Sequence, residues 1–381
     1  MRLEARSVPR HHLVRFLTYA DRLPDIGGML LLEVDNACEY LRAQGRIHGE
    51  DDVAIEFLPG GVSNQVLYVL IRNRPGAEFV LKQARAQLRV PDPWFSRLDR
   101  IWREVEVMHH CRRAIDRAQA ASPSAALGTL ETPRVLFEDR ENFAFAMSAA
   151  PRQHQVWKQR LLAGEADADI ARQCGRLLGT LHAGTWHSAE VAQALDDRQV
   201  FDELRIDPYY RHVSAAHADL RPALQQLIDS VARERHTLVH ADYSPKNLLV
   251  WPTGLMMVDF ETGHYGDPAF DLGFFLSHLV LKSIYHIPRQ APFLALTVAF
   301  WEEYQAQLLP LIGDSAYQAL VTRSIQNLAG CALARVDGKS RVDYLNAAQQ
   351  DRVRALCRGL FLSPVETWGE VLERLKRTDA A

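Results

Sequence analysis

Between Thr237 and Gly273 the chain reads TLVHADYSPKNLLVWPTGLMMVDFETGHYGDPAFDLG, a stretch that no single helix or long strand accommodates. Short apolar runs (LV, LLV, MMV) alternate with polar clusters, which is the pattern of short buried strands joined by loops. His240, Asp242 and Asn247 fall on one loop, and Asp259 follows Asn247 by 12 residues. Two carboxylates and an amide are thereby fixed on loops that buried strands hold in place.

The rest of the chain divides around this stretch. From residue 52 to 81 the runs VAIEFL, QVLYVLI and EFVLK are separated by Pro59-Gly60-Gly61 and by Asn73-Arg74-Pro75-Gly76. They read as strand, Gly-rich turn, strand, tight turn, strand. A helix is expected from about Leu98, with Ile101, Val105, Met108 and Cys111 as its buried stripe. Residues 117–128 read as a loop, and PRVLFE and NFAFAMS as two more strands. The first 50 residues read as mostly helical, with Leu30, Leu31, Val34, Cys38 and Leu41 at helical spacing. Beyond Pro151 helices dominate, beginning with the stripe Ile170, Cys174, Leu177, Leu178 and Leu181. A length of 381 residues suits two lobes, 1–149 rich in strands and 150–381 rich in helices.

Composition excludes several function classes. With 44 Lys+Arg against 47 Asp+Glu the net charge is −3, which gives no electrostatic case for nucleic acid or an anionic membrane. Cys38, Cys111, Cys174, Cys331 and Cys357 are odd in number and form no CxxC pair, which fits a reducing cytoplasm better than a disulfide framework or zinc site. The N-terminal segment is charged and interrupted by Pro9, unlike a signal peptide, and no apolar run reaches the roughly 20 residues of a membrane span. His11-His12 and His109-His110 read as surface pairs without metal partners. Trp94, Trp157, Trp186 and Trp301 read as core or groove aromatics.

The residues of the 240–259 stretch suit phosphoryl transfer. Asp242 can orient an attacking hydroxyl and accept its proton, while Asp259 and the neutral oxygen of Asn247 can hold magnesium on nucleotide phosphates. H-x-D-x-x-x-x-N, then V-D-F, then G-D-P-x-x-D-L resembles the aminoglycoside phosphotransferase and choline kinase superfamily, small-molecule relatives of the protein kinases. That resemblance implies a bilobal, protein-kinase-like α+β fold: a small antiparallel-sheet N-lobe, a larger helical C-lobe, and ATP with magnesium in the cleft. It makes His240 a brace for the catalytic loop and Asp271 the buried aspartate that ties the loop down. Lys246 becomes a residue that reaches the transferring phosphate. Gly60, Gly61, Ser63 and Asn64 become a phosphate clamp, although the turn departs from G-x-G-x-x-G. Lys82 becomes the phosphate-binding cation paired with Glu104 or Glu106, with Glu104 preferred. Met147 falls in the adenine hinge with Ala146 and Ser148. Asp267, before Pro268, reads as a turn initiator.

LKQARAQLRVPDPWFSRLDRIWREVE, FDLGFFLSHLVLKS and GCALARVDGKS further resemble methylthioribose kinases. On that likeness Arg335 or Arg341 would hold a sugar. The chain departs from that group in having Asn247 where a serine is typical, and D-F-E in place of D-P-E, with Glu261 shared. The expected partner is a small hydroxylated molecule, sugar-like, with an aminoglycoside or amino alcohol as the alternative; acids at 165–169 and 196–203 would serve a cationic acceptor. A protein kinase is disfavoured by the missing D-F-G and A-P-E signals. A catalytically silent nucleotide-binding module is disfavoured by the retained Lys82, Asp242, Asn247 and Asp259. A homodimer stands open.

Overall fold

The computed structural model describes residues 28–59, 64–87, 97–121 and 128–377. Helix α1 (Ala37–Ala43) precedes β1 (Val53–Phe57), β2 (Asn64–Ile71) and β3 (Phe79–Ala84). Helix α2 (Arg100–Ala121) is followed by β4 (Thr129–Glu131), β5 (Val135–Asp139) and β6 (Ala144–Ser148). Five of these strands form one antiparallel sheet in the order β1-β2-β3-β6-β5. Its alternation is legible residue by residue. Leu67, Val69, Ile71 and Leu81 face a small core closed by Tyr40 and Leu41 of α1. Lys82 therefore lies on the opposite face, because neighbouring strand residues point to opposite sides.

The strand β4 pairs in parallel with β10 (Gly254–Met257) rather than with this sheet. It completes a second sheet, β4-β10-β9-β7, with β7 (Gln155–Val156) and β9 (Leu248–Trp251). A two-stranded ribbon joins β8 (Thr237–Val239) to β11 (His264–Gly266). The polar loops of the 237–273 stretch hang from these strands.

Helices make the larger body: α3 (Trp157–Leu162), α4 (Ala168–Gly184), α5 (Ala189–Ala194), α6 (Gln199–Phe201), α7 (His212–Ala216) and α8 (Arg221–Arg233), then α9 (Pro268–Tyr285), α10 (Ala291–Ile312), α11 (Asp314–Asp337), α12 (Ala347–Leu362) and α13 (Trp368–Arg377). A π-helical segment, Asp202–Arg211, carries Pro208 and links α6 to α7. Every residue of α9 from Pro268 to Ile284 is buried, including Asp271, His278 and Lys282. Asp267 caps this helix by accepting from the Ala269 N–H at 3.1 Å, and Arg323 grips its carboxylate at 2.9 and 3.1 Å. It is thus more than a turn initiator.

Three expectations need correction. The helical stripe through Leu30, Leu31 and Val34 does not exist: among the described residues 28–50 only 37–43 are helical, and those three side chains are 43%, 49% and 44% exposed. Their spacing mimics a helix, but the backbone there is spent on Asn142 and Gln83 side chains. Residues 117–121 continue α2 instead of starting a loop. His110 is buried, because at that turn it shares the inner side of α2 with Val107 and Cys111, and it contacts Glu106 at 3.0 Å and Arg113 at 2.8 Å. His11, His12 and Trp94 lie outside the described residues. Trp157 is a core residue stacked on Phe275, Trp186 stacks on His236, and Trp301 packs against Trp368. Among the described residues no helix is long and apolar enough to cross a membrane, and no cluster of His, Cys, Asp and Glu suits a metal by itself.

Candidate active site

The loop after β8 is shaped by the first turn of α9. Asp271 accepts the backbone N–H groups of His240 and Ala241, each at 2.7 Å, and meets His182 Nε2 at 3.3 Å. Ala241 stands at φ +60, a left-handed conformation that costs an ordinary side chain about 1 kcal/mol or more. The carboxylate of Asp271 holds it there, and the reversal aims Asp242 away from the core. His240 supports the same turn. Its Nδ1 accepts from the Asp242 N–H at 3.1 Å, and its Nε2 donates to the Val258 carbonyl at 3.2 Å. Burial lowers its pKa against the pull of Asp271 and Asp242, which keeps the ring neutral as this pairing requires. Tyr243 anchors the far side by donating to the Cys174 carbonyl at 2.8 Å.

Asp242 is 4% exposed and fully engaged. Arg205 Nη2 lies 2.8 Å from Oδ1, and Lys246 Nζ and Asn247 Nδ2 each lie 2.8 Å from Oδ2. Burial alone would raise this carboxyl's pKa; Arg205 and Lys246 outweigh burial and hold it well below the usual range. Asn247 also donates to the Asp242 carbonyl at 3.0 Å, so its amide nitrogen is committed to the loop and its oxygen is left for another partner.

Asp259 follows β10 at φ +71, a second non-glycine residue in the left-handed region. Its carboxylate is 32% exposed and lies 3.5 Å from Lys82 Nζ. Lys82 is buried and meets Glu104 of α2 at 2.7 Å. Burial works against the charge of Lys82, but Glu104, Asp259 and Glu261 outweigh it and raise its pKa. Glu106 instead faces His110. Phe260 is buried against the His240 ring, 5.0 Å between centroids, and so pins Asp259 to the loop. Asn64 opens β2 and lies 3.4 Å from Glu261 Oε2. Met147 is half-buried on β6, paired with Val80 of β3. Gly60, Gly61 and Ser63 lie outside the described residues.

Lys82, Glu104, Asp242, Lys246, Asn247 and Asp259 thus converge, with His240 and Asp271 beneath them. Arg335 and Arg341 make no direct contact with these groups. Arg335 ends α11 and donates to Tyr209 Oη at 3.1 Å and Ser340 Oγ at 2.6 Å, whereas Arg341 is exposed. Arg205, like the His182 that meets Asp271, is not marked out by the sequence. It sits in the charged run DDRQVFDELRID, far from the loop in sequence, and nothing local marks it out. Its Nε donates to the Ala241 carbonyl at 2.6 Å, and its guanidinium lies over the Phe274 ring at 5.6 Å.

The sequence profile of the phosphotransferase enzyme (APH) family matches residues 54–311, an interval that holds all of these converging groups. The chain belongs to the phosphotransferase enzyme family. Within it, methylthioribose kinase of Pectobacterium carotovorum subsp. carotovorum is 26% identical over 85% of this chain and 90% of that protein. Methylthioribose kinase of Pectobacterium atrosepticum is 24% identical over 86% and 91%. Among solved structures, amicoumacin kinase hAmiN with AMP-PNP, Ca2+ and Ami aligns over 87% of this chain and 95% of its own, with a TM-score of 0.53 and 12% identity. Choline kinase from Cryptosporidium parvum Iowa II aligns over 91% and 95%, with a TM-score of 0.50 and 11% identity. The fold is the bilobal kinase-like α+β fold, and this phosphotransferase is a small-molecule kinase.

Proposed function

We propose that this phosphotransferase moves the γ-phosphoryl group of ATP, with magnesium, to a hydroxyl of a small sugar-like acceptor. One observation carries the reading: a buried Asp242, ionised by Arg205 and Lys246, belongs to one cluster of charged groups with the part-exposed Asp259 and the Lys82–Glu104 pair. In phosphoryl transfer little covalent chemistry falls to the protein, and positioning with charge stabilisation does most of the work. Asp242 would orient the acceptor hydroxyl and take its proton as the P–O bond forms. Lys82 would receive nucleotide phosphates, and Lys246 is near enough to Asp242 to follow the transferring group.

The residues present fit a magnesium ion. Magnesium takes few protein ligands, all hard oxygens, and fills its shell with phosphate and water. The half-exposed carboxylate of Asp259 and the uncommitted oxygen of Asn247 are such a pair. When bound, the ion would neutralise phosphate charge.

A cationic acceptor gains no support from the acids at 165–169 and 196–203. Glu165 pairs with Arg160 at 2.7 Å, Asp169 with Arg172 at 2.6 Å, Asp196 with Arg235 at 2.6 Å, and Asp202 with Arg211 at 2.6 Å. The test is ADP release with magnesium and ATP across neutral sugars, methylthioribose, amino alcohols and sugar acids. Asp242→Asn is expected to lower turnover by about 10³-fold while ATP binding holds. Equal loss of ATP binding would refute the division of roles, and absence of any nucleotide binding by the parent chain would refute the kinase reading.

A further inference from the structure

One stripe of α9 leads away from the catalytic loop. Asp271, Phe274, His278 and Lys282 recur at three- and four-residue spacing and so share a face. Asp271 holds the loop, and Phe274 lies beneath Arg205, which grips Asp242. The His278 ring stands 5.2 Å from that of Phe274, and Lys282 follows one turn later. From Phe274 to Lys282 the helix rises roughly 12 Å, and lysine side chains lean back toward the helix N-terminus.

Lys282 is anomalous in this position. It is 1% exposed, yet among the described residues its Nζ meets only Tyr344, with Oη at 3.4 Å and the ring centroid at 5.1 Å. Buried lysines are ordinarily paired, as Lys82 is with Glu104, because an uncompensated interior charge is costly. The charges that bear on Lys282 are themselves positive: Lys158 from α3 and Arg335 from α11. His278 feels Lys282, Arg335, Lys246 and Lys158. Among the described residues the Arg335 guanidinium bonds only to hydroxyls, and its buried Nε has no partner. Among the described residues no carboxylate comes within ion-pair distance of Lys158, Lys282 or Arg335. Three elements therefore bring cations to bear on the end of the α9 stripe that starts beneath Arg205, around neutral hydroxyl groups, and among the described residues none of the three has a carboxylate partner. Burial and the neighbouring cations pull Lys282 down to about 7, a state that an anion would reverse.

We infer that the acceptor is a hydroxylated carboxylate, a sugar acid or a molecule of that size, whose acid group is received by Lys282, Lys158 and Arg335 while its hydroxyl meets Asp242. This rests on the kinase reading above and gives its substrate a charge. Neutral sugars would leave the cations unanswered, and cationic acceptors would be repelled.

The experiment compares matched acceptors, glucose with gluconate and glucuronate, and ribose with ribonate and ribose 5-phosphate. ADP release is measured alongside thermal shift in the presence of a non-hydrolysable ATP analogue. The carboxylates should exceed their neutral counterparts in kcat/KM or in binding by at least about tenfold, the worth of one charge-assisted hydrogen bond. Lys282→Met should abolish that advantage through KM, with KM for ATP unchanged. Lys282→Arg should retain part of it and guards against a packing defect in the Met variant. No acid-dependent turnover or shift in the parent chain, or an advantage that survives Lys282→Met, overturns the inference while leaving the kinase reading intact if neutral acceptors are phosphorylated. Preference for ribose 5-phosphate, lost in Lys282→Met, would keep the oxyanion site and overturn the carboxylate. Failure to bind ATP at all would remove the kinase reading instead.

Discussion

Arg205 does two things for Asp242 at once. Nη2 pairs with the carboxylate, and Nε holds the Ala241 carbonyl in its left-handed turn. An ammonium cannot reproduce that fork. Arg205→Lys is therefore expected to behave like Arg205→Met, each lowering kcat by about 10- to 100-fold with ATP affinity retained, since two charge-assisted contacts are at stake. Recovery of full turnover in the Lys variant would show that charge alone matters. Lys282 yields a prediction of another kind. The unfolded chain holds that proton to about pH 10.4, whereas the folded chain releases it near 7. Between pH 7 and 8.5 the unfolded state binds more protons, so this lysine makes stability rise with pH, by about 1 kcal/mol per unit. Denaturant titrations of the parent chain and Lys282→Met should diverge with that sign, the parent gaining relative to the variant as pH rises. His278, Lys158 and Arg335 face Lys282 in both proteins and should cancel unless the substitution moves them.

At the scale of elements, the close packing of α9 on α11 depends on Gly273. A Cβ there would stand 2.4 Å from Asn327 Cβ and 2.5 Å from the Leu328 nitrogen, so the two helices would have to separate. Gly273→Ala should cost about 3 kcal/mol, as overpacking of a filled core does. Gly359, inside α12, has open space around its missing Cβ, with the nearest atom 3.8 Å away. Gly359→Ala should stabilise by up to about 1 kcal/mol through helix propensity alone. Urea midpoints would read both, and equal signs would contradict the packing argument. The same elements show why parts of the molecule were legible in sequence. The build of the loop from His240 to Asn247 was, because its strands, its turn and its polar residues are contiguous and each obeys a local rule. Lys82 was, because strand alternation fixes its face and a helix begins soon after. Arg205 and His182 were not, because each reaches the loop only through the tertiary fold, Arg205 from a charged run with no pattern of its own and His182 from the end of an apolar stripe that marks a core helix and not a site. Leu30, Leu31 and Val34 misled because helical spacing arose by chance in an extended segment. His110 departs from expectation because its polarity suggests the surface while its place on α2 is the buried side.

At the scale of the whole molecule, the contact between Lys82 and Asp259 joins the sheet lobe to the helical lobe. Lys82 stands on β3 with Glu104 behind it, while Asp259 is carried by the loop after β10. The separation of 3.5 Å and the partial exposure of Asp259 make this a weak bridge, screened by water. A nucleotide with its metal would engage both sides far more strongly, Lys82 through phosphate oxygens and Asp259 through the ion. Binding to the folded state alone stabilises by about 2.7 kcal/mol at a hundredfold excess over Kd. For a chain of this size that amounts to an upward shift in Tm of a few degrees. Magnesium and ATP together should give this shift, and ATP with a chelator a smaller one. Lys82→Met should remove most of both. Asp259→Asn should equalise the two, because the carboxylate that distinguishes the metal-bound nucleotide is gone. If Asp259→Asn still responds more to magnesium with ATP than to ATP alone, the ion is held by other groups, and the coupling of the lobes through Asp259 is wrong.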